Sequence, residues 1–221
     1  MRGVRVMGLA AAAGLFAGVA AGAVATGASV AAPVEELTVF AAASLTEAFR
    51  DIGAAFEQAN PGVRVVFNFG GSPQLRQQIE QGARADVFAS ANQAQMDALK
   101  SQGLLWGPDR TFARNRLVVV MPKDNPGKIR SLQDLARPGV KFLTTHRAVP
   151  VGAYTRAALE KMSQSPEFGA DFASRVAANI VSEEDNVKQI VTKVQLGEVD
   201  AGVVYSSDIT PAVRKDVVTL T

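Results

Sequence analysis

From residue 36 onward, short β-rich runs alternate with stretches of helical periodicity, and this alternation narrows the fold more than any other feature. Residues 37–43 (LTVFAAA) read as a buried strand. Over 45–58 the apolar residues Leu45, Ala48, Phe49, Ile52, Ala55 and Phe56 recur at the i, i+3, i+4, i+7 spacing of an amphipathic helix. Asn60-Pro61-Gly62 ends it. A strand follows over 63–69 (VRVVFNF), then the turn Gly70-Gly71-Ser72-Pro73 and a helix over 74–81 closed by Gly82. A short strand over 86–90 and a helix over 93–102, ended by Gly103, complete the first block. The second block opens with a strand over 117–121 (LVVVM) and a loop over 122–128. It continues with a short helix over 131–136, a strand over 141–144, helices over 152–163 and 187–196, and a buried strand over 201–205 (AGVVY). Alternating elements of this kind imply an α/β fold, with helices flanking the sheets. Two blocks of roughly 90 residues have the size of small domains. No internal repeat is visible.

The first 32 residues read as an export signal rather than as part of the fold. Arg2 and Arg5 precede an uncharged Ala/Gly/Val-rich run over 6–25, and the small residues Ala28, Ser29, Val30, Ala31 and Ala32 follow. A membrane anchor is the alternative, since the run is long enough to span. Its weak, Ala/Gly-based hydrophobicity and the lack of a basic stop favour cleavage near Ala31–Ala32. Lys and Arg total 23 against 21 Asp and Glu, a net charge of +2. Without Arg2 and Arg5 the basic count is 21 against 21, so the mature chain is neutral. That balance excludes a nucleic-acid binder that neutralises many phosphates. The absence of cysteine excludes disulfides, thiolate metal sites, a cysteine nucleophile and a lipidated cysteine. A single histidine, His146, excludes a multi-histidine metal site. A soluble periplasmic protein is the class that remains.

In open α/β sheets, ligands sit at the carboxyl ends of strands, over helix N-termini whose free N–H groups and dipoles attract anions. Four turns of this kind carry small or polar residues. Ser44 ends the first strand and opens a helix, and Ser44-Leu45-Thr46-Glu47 also fits a capping box. Ser72 fits an N-cap with Pro73 at the first helical position, and the paired glycines before it permit close approach of a ligand. No Gly-Lys-Ser/Thr follows, so this is not a phosphate P-loop. The third turn is Val149-Pro150-Val151-Gly152. The fourth, 182–187, carries the acidic cluster Glu183, Glu184 and Asp185, which reads as first-turn helix capping. Tyr205 ends a buried strand with a hydroxyl that needs a partner. Each feature by itself is also compatible with ordinary capping or packing.

Taken together, the runs TVFAAASL (38–45), FGGSPQL (69–75), GARADVFASA (82–91), NRLVVV (115–120), VPVG (149–152), DNVKQ (185–189) and AGVVYSSD (201–208) resemble the molybdate/tungstate-binding proteins of ABC importers. These belong to the periplasmic substrate-binding superfamily, and the resemblance runs through the whole chain after the leader. It implies a two-lobed periplasmic-binding-protein fold, type II-like, with mixed sheets flanked by helices and a hinge between the lobes. Lobe 1 is expected over 33–118 and 206–221 and lobe 2 over 119–205, with crossings near 119–121 and 205–207. The family continues beyond the position of Thr221 with elements that complete lobe 1.

Carried over residue by residue, the ligand-binding hydroxyls fall on Ser44 and Ser72, the backbone N–H donors on Val151 and Val187, and the phenol donor on Tyr205. Two local departures are the Gly71-Ser72-Pro73 sequence of the second turn, and Val151 where alanine is common. The resemblance further implies a permease and its ATPase as partners, a monomer, no nucleic acid, no enzymatic activity and no cofactor. The metal enters only as the oxyanion.

The chemistry agrees with these expectations. A tetrahedral dianion has acceptors and no donors, so its site should offer donors only, and neutral donors avoid the desolvation cost of burying Arg or Lys. Protonated phosphate would want a carboxylate acceptor. Two alternatives remain: a site for another oxyanion such as sulfate, and a serine hydrolase using Ser44 or Ser72. The hydrolase lacks a Gly-x-Ser-x-Gly elbow and has only His146 as a histidine base.

Overall fold

The structure is a computed structural model and describes residues 35–221. The expected export signal and its cleavage site lie outside the described residues. The described residues form one compact unit.

The first sheet has three strands in the order β2-β1-β3, all parallel. β1 (Glu35–Ala42) is its centre, and its C-terminal half, Val39 to Ala42, is buried. α1 (Thr46–Ala59) carries the chain to β2 (Val63–Gly70), and α2 (Ser72–Glu80) carries it back past β1 to β3 (Val87–Ala89). α3 (Gln93–Ser101) closes this lobe. The fold class expected from the alternation is therefore present, although this sheet is parallel rather than mixed.

The second sheet has five strands in the order β6-β5-β7-β4-β8. β4 (Leu117–Pro122) runs antiparallel to β7 (Ala201–Tyr205), while β5 (Phe142–Thr145) runs parallel to β7 and to β6 (Ile180–Glu184). β5 and β7 are buried along their whole length, which is why they read as continuous apolar runs rather than as alternation. α6 (Val187–Gln195) presses Val187, Ile190, Val191 and Val194 onto one face. α4 (Pro150–Ser163) and α5 (Phe172–Ala178) press Leu159, Phe172 and Val176 onto the other.

Strand pairing departs from the expected lobe boundaries. The last strand, β8 (Val217–Leu220), hydrogen-bonds antiparallel to β4, so the tail expected in lobe 1 joins the second sheet. The physical reason is Val217, which is buried in the core under α6. α7 (Pro211–Arg214) leads into β8, and its Val213 packs on the same core. β4 also lies wholly in the second sheet, which moves the first boundary ahead of Leu117. Among the described strands the chain passes between sheets once, through 102–116, and does not return near 205–207.

α5, β6 and β8 were not expected from the sequence. β6 carries Ser182, Glu183 and Glu184, so the acidic cluster read as a helix first turn is mostly edge strand. Among the described residues no helix is long and apolar enough to cross a membrane.

Candidate functional site

The C-terminal ends of β1, β2, β5, β6 and β7 converge, and with them the turns singled out in the sequence. Ser44, Ser72, Val151, Val187 and Tyr205 all line one small cavity, together with Ala42, Ala43, Gly70, Gly71, Ala91, Val149, Pro150 and Asn186. No lining residue carries a charge.

Ser44 sits in a 3-10 turn, Ala43–Leu45, ahead of α1. Neither helix start there has a side-chain cap, so the expected capping box with Glu47 does not form. Glu47 points elsewhere, to Lys188. Ser72 is buried and is the first residue of α2, with Gly71 at the N-cap position, one place off the expected register. Its hydroxyl accepts a hydrogen bond from the Ala91 N–H at 3.1 Å. Accepting consumes a lone pair and leaves the O–H proton free to donate. Both serines therefore escape the capping role that would have explained them without a ligand.

The two backbone donors arise from helix starts. Pro150 opens α4 and has no N–H, so the first helical N–H groups belong to Val151 and Gly152, and no side chain caps them. Gly152 holds this end against β5: a Cβ there would lie 2.3 Å from the Thr145 carbonyl oxygen. At α6 the Asn186 side chain caps, accepting from the N–H groups of Lys188 (3.0 Å) and Gln189 (3.3 Å). That leaves the Val187 N–H at the first helical position outside the cap. Asp185, expected to cap, instead donates its own N–H to Gln189 at 2.9 Å.

Tyr205 is buried and its hydroxyl has no partner among the described residues. Burial, reinforced by Tyr154 and Asp208, raises its pKa, so the phenol stays a protonated donor. An unpaired buried hydroxyl costs about 1–3 kcal/mol, a cost an incoming acceptor removes. The site thus offers hydroxyls, a phenol and helix-start N–H groups, and no carboxylate.

Two groups that sequence reasoning did not single out stand directly behind the cavity. Asp208 is fully buried and accepts from the Tyr205 N–H at 2.9 Å. Burial pushes its carboxyl up to about 6, against the pull of Lys188 and of that N–H. Lys188 lies 3.6 Å from Asp208 and 2.7 Å from Glu47. The signal for Asp208 was present, as an acid three residues beyond a fully apolar strand.

His146 is half exposed, with its ring nitrogens 3.2 Å from Glu183 and 3.7 Å from Asp185. It is absent from the cavity lining, so the structure does not bring a histidine base to Ser44 or Ser72 there. Among the described residues no cluster of three or more His, Asp or Glu is placed to hold a metal ion.

The free volume of the cavity is about 20 Å³, on the order of one water. Its walls belong to both lobes.

A two-lobed α/β molecule with a donor-lined cavity between its sheets is the architecture of a solute-binding protein. The chain belongs to the bacterial extracellular solute-binding protein family, whose profile matches residues 37–221. It is 46% identical over 172 residues to the molybdate-binding protein ModA of Mycobacterium tuberculosis H37Rv, covering 78% of this chain and 61% of that protein. It is 34% identical over 180 residues to the ModA of Escherichia coli K12, covering 78% and 66%. The chain thus spans about three fifths to two thirds of the length of these relatives. Among solved structures, the periplasmic molybdate-binding protein of Azotobacter vinelandii superposes with a TM-score of 0.65 at 24% identity, over 80% of this chain and 74% of that one. The sulfate-binding protein SubI of Mycobacterium tuberculosis superposes with a TM-score of 0.70 at 21% identity, over 85% and 71%. Both share the fold.

Proposed function

We propose that this chain is the substrate-binding component of an ABC importer, and that it takes molybdate or tungstate into the cavity between its two sheets. Ser44 and Ser72 donate from the first lobe. Tyr205 and the N–H groups of Val151 and Val187 donate from the second. The observation that carries this reading is the donors-only lining, with the Tyr205 hydroxyl buried and unpartnered. A fully deprotonated dianion satisfies every donor, and protonated phosphate would bring a proton with no carboxylate to accept it. Closure of the lobes about the 102–116 connection assembles both halves, and the ligand's contacts bias the population toward that state. The 46% identity to a protein named for molybdate binding supports the choice of anion.

Export to the periplasm after removal of residues 1–32 and delivery to a membrane permease with its ATPase complete the proposal. They are supported by the composition of the leader and by the extracellular solute-binding family. A second reading, sulfate, rests on the same donors-only lining, since sulfate is also a fully deprotonated tetrahedral dianion.

Calorimetric titration with molybdate, tungstate, sulfate and phosphate tests both. Heat with molybdate and tungstate and none with phosphate is the expected result. Binding of sulfate alone selects the second reading, and equal binding of phosphate removes the donors-only argument.

A further inference from the structure

Two contacts beside the cavity join the lobes without involving a proposed ligand donor. Gly71, at the end of β2, approaches the backbone of Asp185, ahead of α6, so closely that a Cβ on it would lie 2.4 Å from the Asp185 carbonyl oxygen. Real Cβ atoms do not come this near. The backbone of Gly71, φ −63° and ψ 133°, is open to any residue, so the turn itself does not require glycine. The approach of the opposite lobe does. Beside it, Lys188 of α6 donates to Glu47 of α1 at 2.7 Å. Burial would raise the Glu47 carboxyl, but the lysine wins and holds it below its ordinary range. Lys188 is held from behind by buried Asp208 at 3.6 Å. Each residue adjoins a proposed donor: Gly71 precedes Ser72, Lys188 follows Val187, and Glu47 lies one turn beyond Ser44.

We infer that Gly71 and the Glu47–Lys188 pair are positioning residues that set how far the lobes close. The bare backbone at 71 fixes the distance of closest approach, and the ion pair latches it. The inference rests on the proposed inter-lobe anion site, whose donors Ser72, Val187 and Ser44 these contacts flank on both sides.

The chain has no cysteine, so exposed Gln58→Cys and Glu198→Cys carry one spin label on each lobe. The distance between labels reads closure directly, with and without molybdate. Gly71→Val is expected to shift the distribution to longer distances in both conditions, to leave the ligand-free melting temperature unchanged, and to speed molybdate dissociation at least tenfold. Glu47→Gln and Lys188→Gln are each expected to speed dissociation about two- to fivefold, the range of a partly exposed ion pair, and the Glu47→Gln/Lys188→Gln double variant to behave like Lys188→Gln alone, because both changes remove the same contact.

Weaker binding by Gly71→Val with parental distances would assign the effect to a displaced Ser72 and overturn the inference. So would parental distances with parental binding, or a double variant whose effect is the sum of its two singles. Failure of the parent to bind molybdate would sink the anion reading alone. The ligand-free distances still decide the latch, since Gly71→Val must remain more open than the parent or the inference fails.

Discussion

The two lobes bury their sheets to very different degrees. The five-stranded sheet is covered on both faces, by α6 with the Ile190 and Val194 cluster and by α4 and α5 with the Phe142 and Phe172 cluster. The three-stranded sheet has a small buried core, Val39, Ala41 and Ala89, edged by partly buried phenylalanines. Ile52 and Phe56 of α1, Val66 of β2 and Val87 of β3 stay largely exposed. Along β3 and the 102–116 connection lies a groove of about 1,030 Å³ bordered by Phe49, Met96, Trp106 and Phe112. Hydrophobic stabilisation follows apolar area removed from water, so cohesion is concentrated in the second lobe. Yet the donors divide between both lobes. A ligand held by Ser44 and Ser72 on one side, and by Tyr205 and two helix starts on the other, ties the weakly buried lobe to the strongly buried one.

The comparison breaks most visibly in the cores. Ile190→Ala empties a fully buried site under α6 and is expected to cost about 2–5 kcal/mol. The matching truncation in the first lobe, exposed Ile52→Ala, is expected to stay within about 0.5 kcal/mol. Denaturant unfolding of both variants measures the contrast, and equal losses would mean that the first lobe is better packed than its exposure indicates.

Next in size is a pH effect peculiar to the second lobe. Folded Asp208 keeps its proton up to about pH 6, whereas an ordinary carboxyl loses it near 3.8. Between these values the folded state binds more protons than the unfolded one, so this group's contribution to stability falls as pH rises from about 4 to about 6. The fall is on the order of 2–3 kcal/mol. Asp208→Asn removes it, so the unfolding free energy of the parent relative to Asp208→Asn should drop across that window and level off above it. A difference that stays flat from pH 4 to 7 contradicts the burial argument. Glu47 and Glu184, whose carboxyls end below their ordinary range, tilt the opposite way, and both are present in parent and variant alike.

The hydroxyls sharpen the comparison at the site. A hydrogen bond to a charged ligand contributes roughly 1.5–3 kcal/mol, so Tyr205→Phe and Ser44→Ala should each weaken molybdate binding about tenfold to a hundredfold. Neither should destabilise the ligand-free protein, because the Tyr205 hydroxyl is orphaned and no side chain caps the turn at Ser44. Ser72→Ala should weaken binding similarly and also lose about 1 kcal/mol of ligand-free stability, since its oxygen accepts from Ala91. Paired calorimetric titrations and thermal melts separate the two effects. Unaltered affinity in all three variants would remove these side chains from the site.

Much of this was legible in the chain. Continuous apolar runs such as LVVVM and AGVVY can only be strands buried on both faces, and α1 follows directly from its 3.6-residue spacing. The strand-to-helix turns were legible as places for a ligand, but the five proposed site residues were named only through the family resemblance, since each is locally compatible with capping or packing. Elements whose pattern is set by neighbours rather than by period were not legible. β6 is an edge strand carrying Glu183 and Glu184, whose side chains find Arg156 and Lys193 across the lobe. β8 owes its place to one buried valine. Capping patterns also gave the wrong partner twice: at Ser44 a tertiary contact draws Glu47 to Lys188, and at Asp185 the neighbouring Asn186 takes the cap of α6 instead.

The sequence by itself determined the α/β class, the order of most strands and helices, and the residue types available for an anion, because these depend on periodicity and local chemistry. The tertiary structure alone decided which sheet receives the tail, that residues of four turns and the end of β7 line one uncharged cavity, and that a lysine and a glycine far apart in the chain join the lobes. Those outcomes turn on a few ångströms between segments distant in sequence, and no local pattern encodes such a distance.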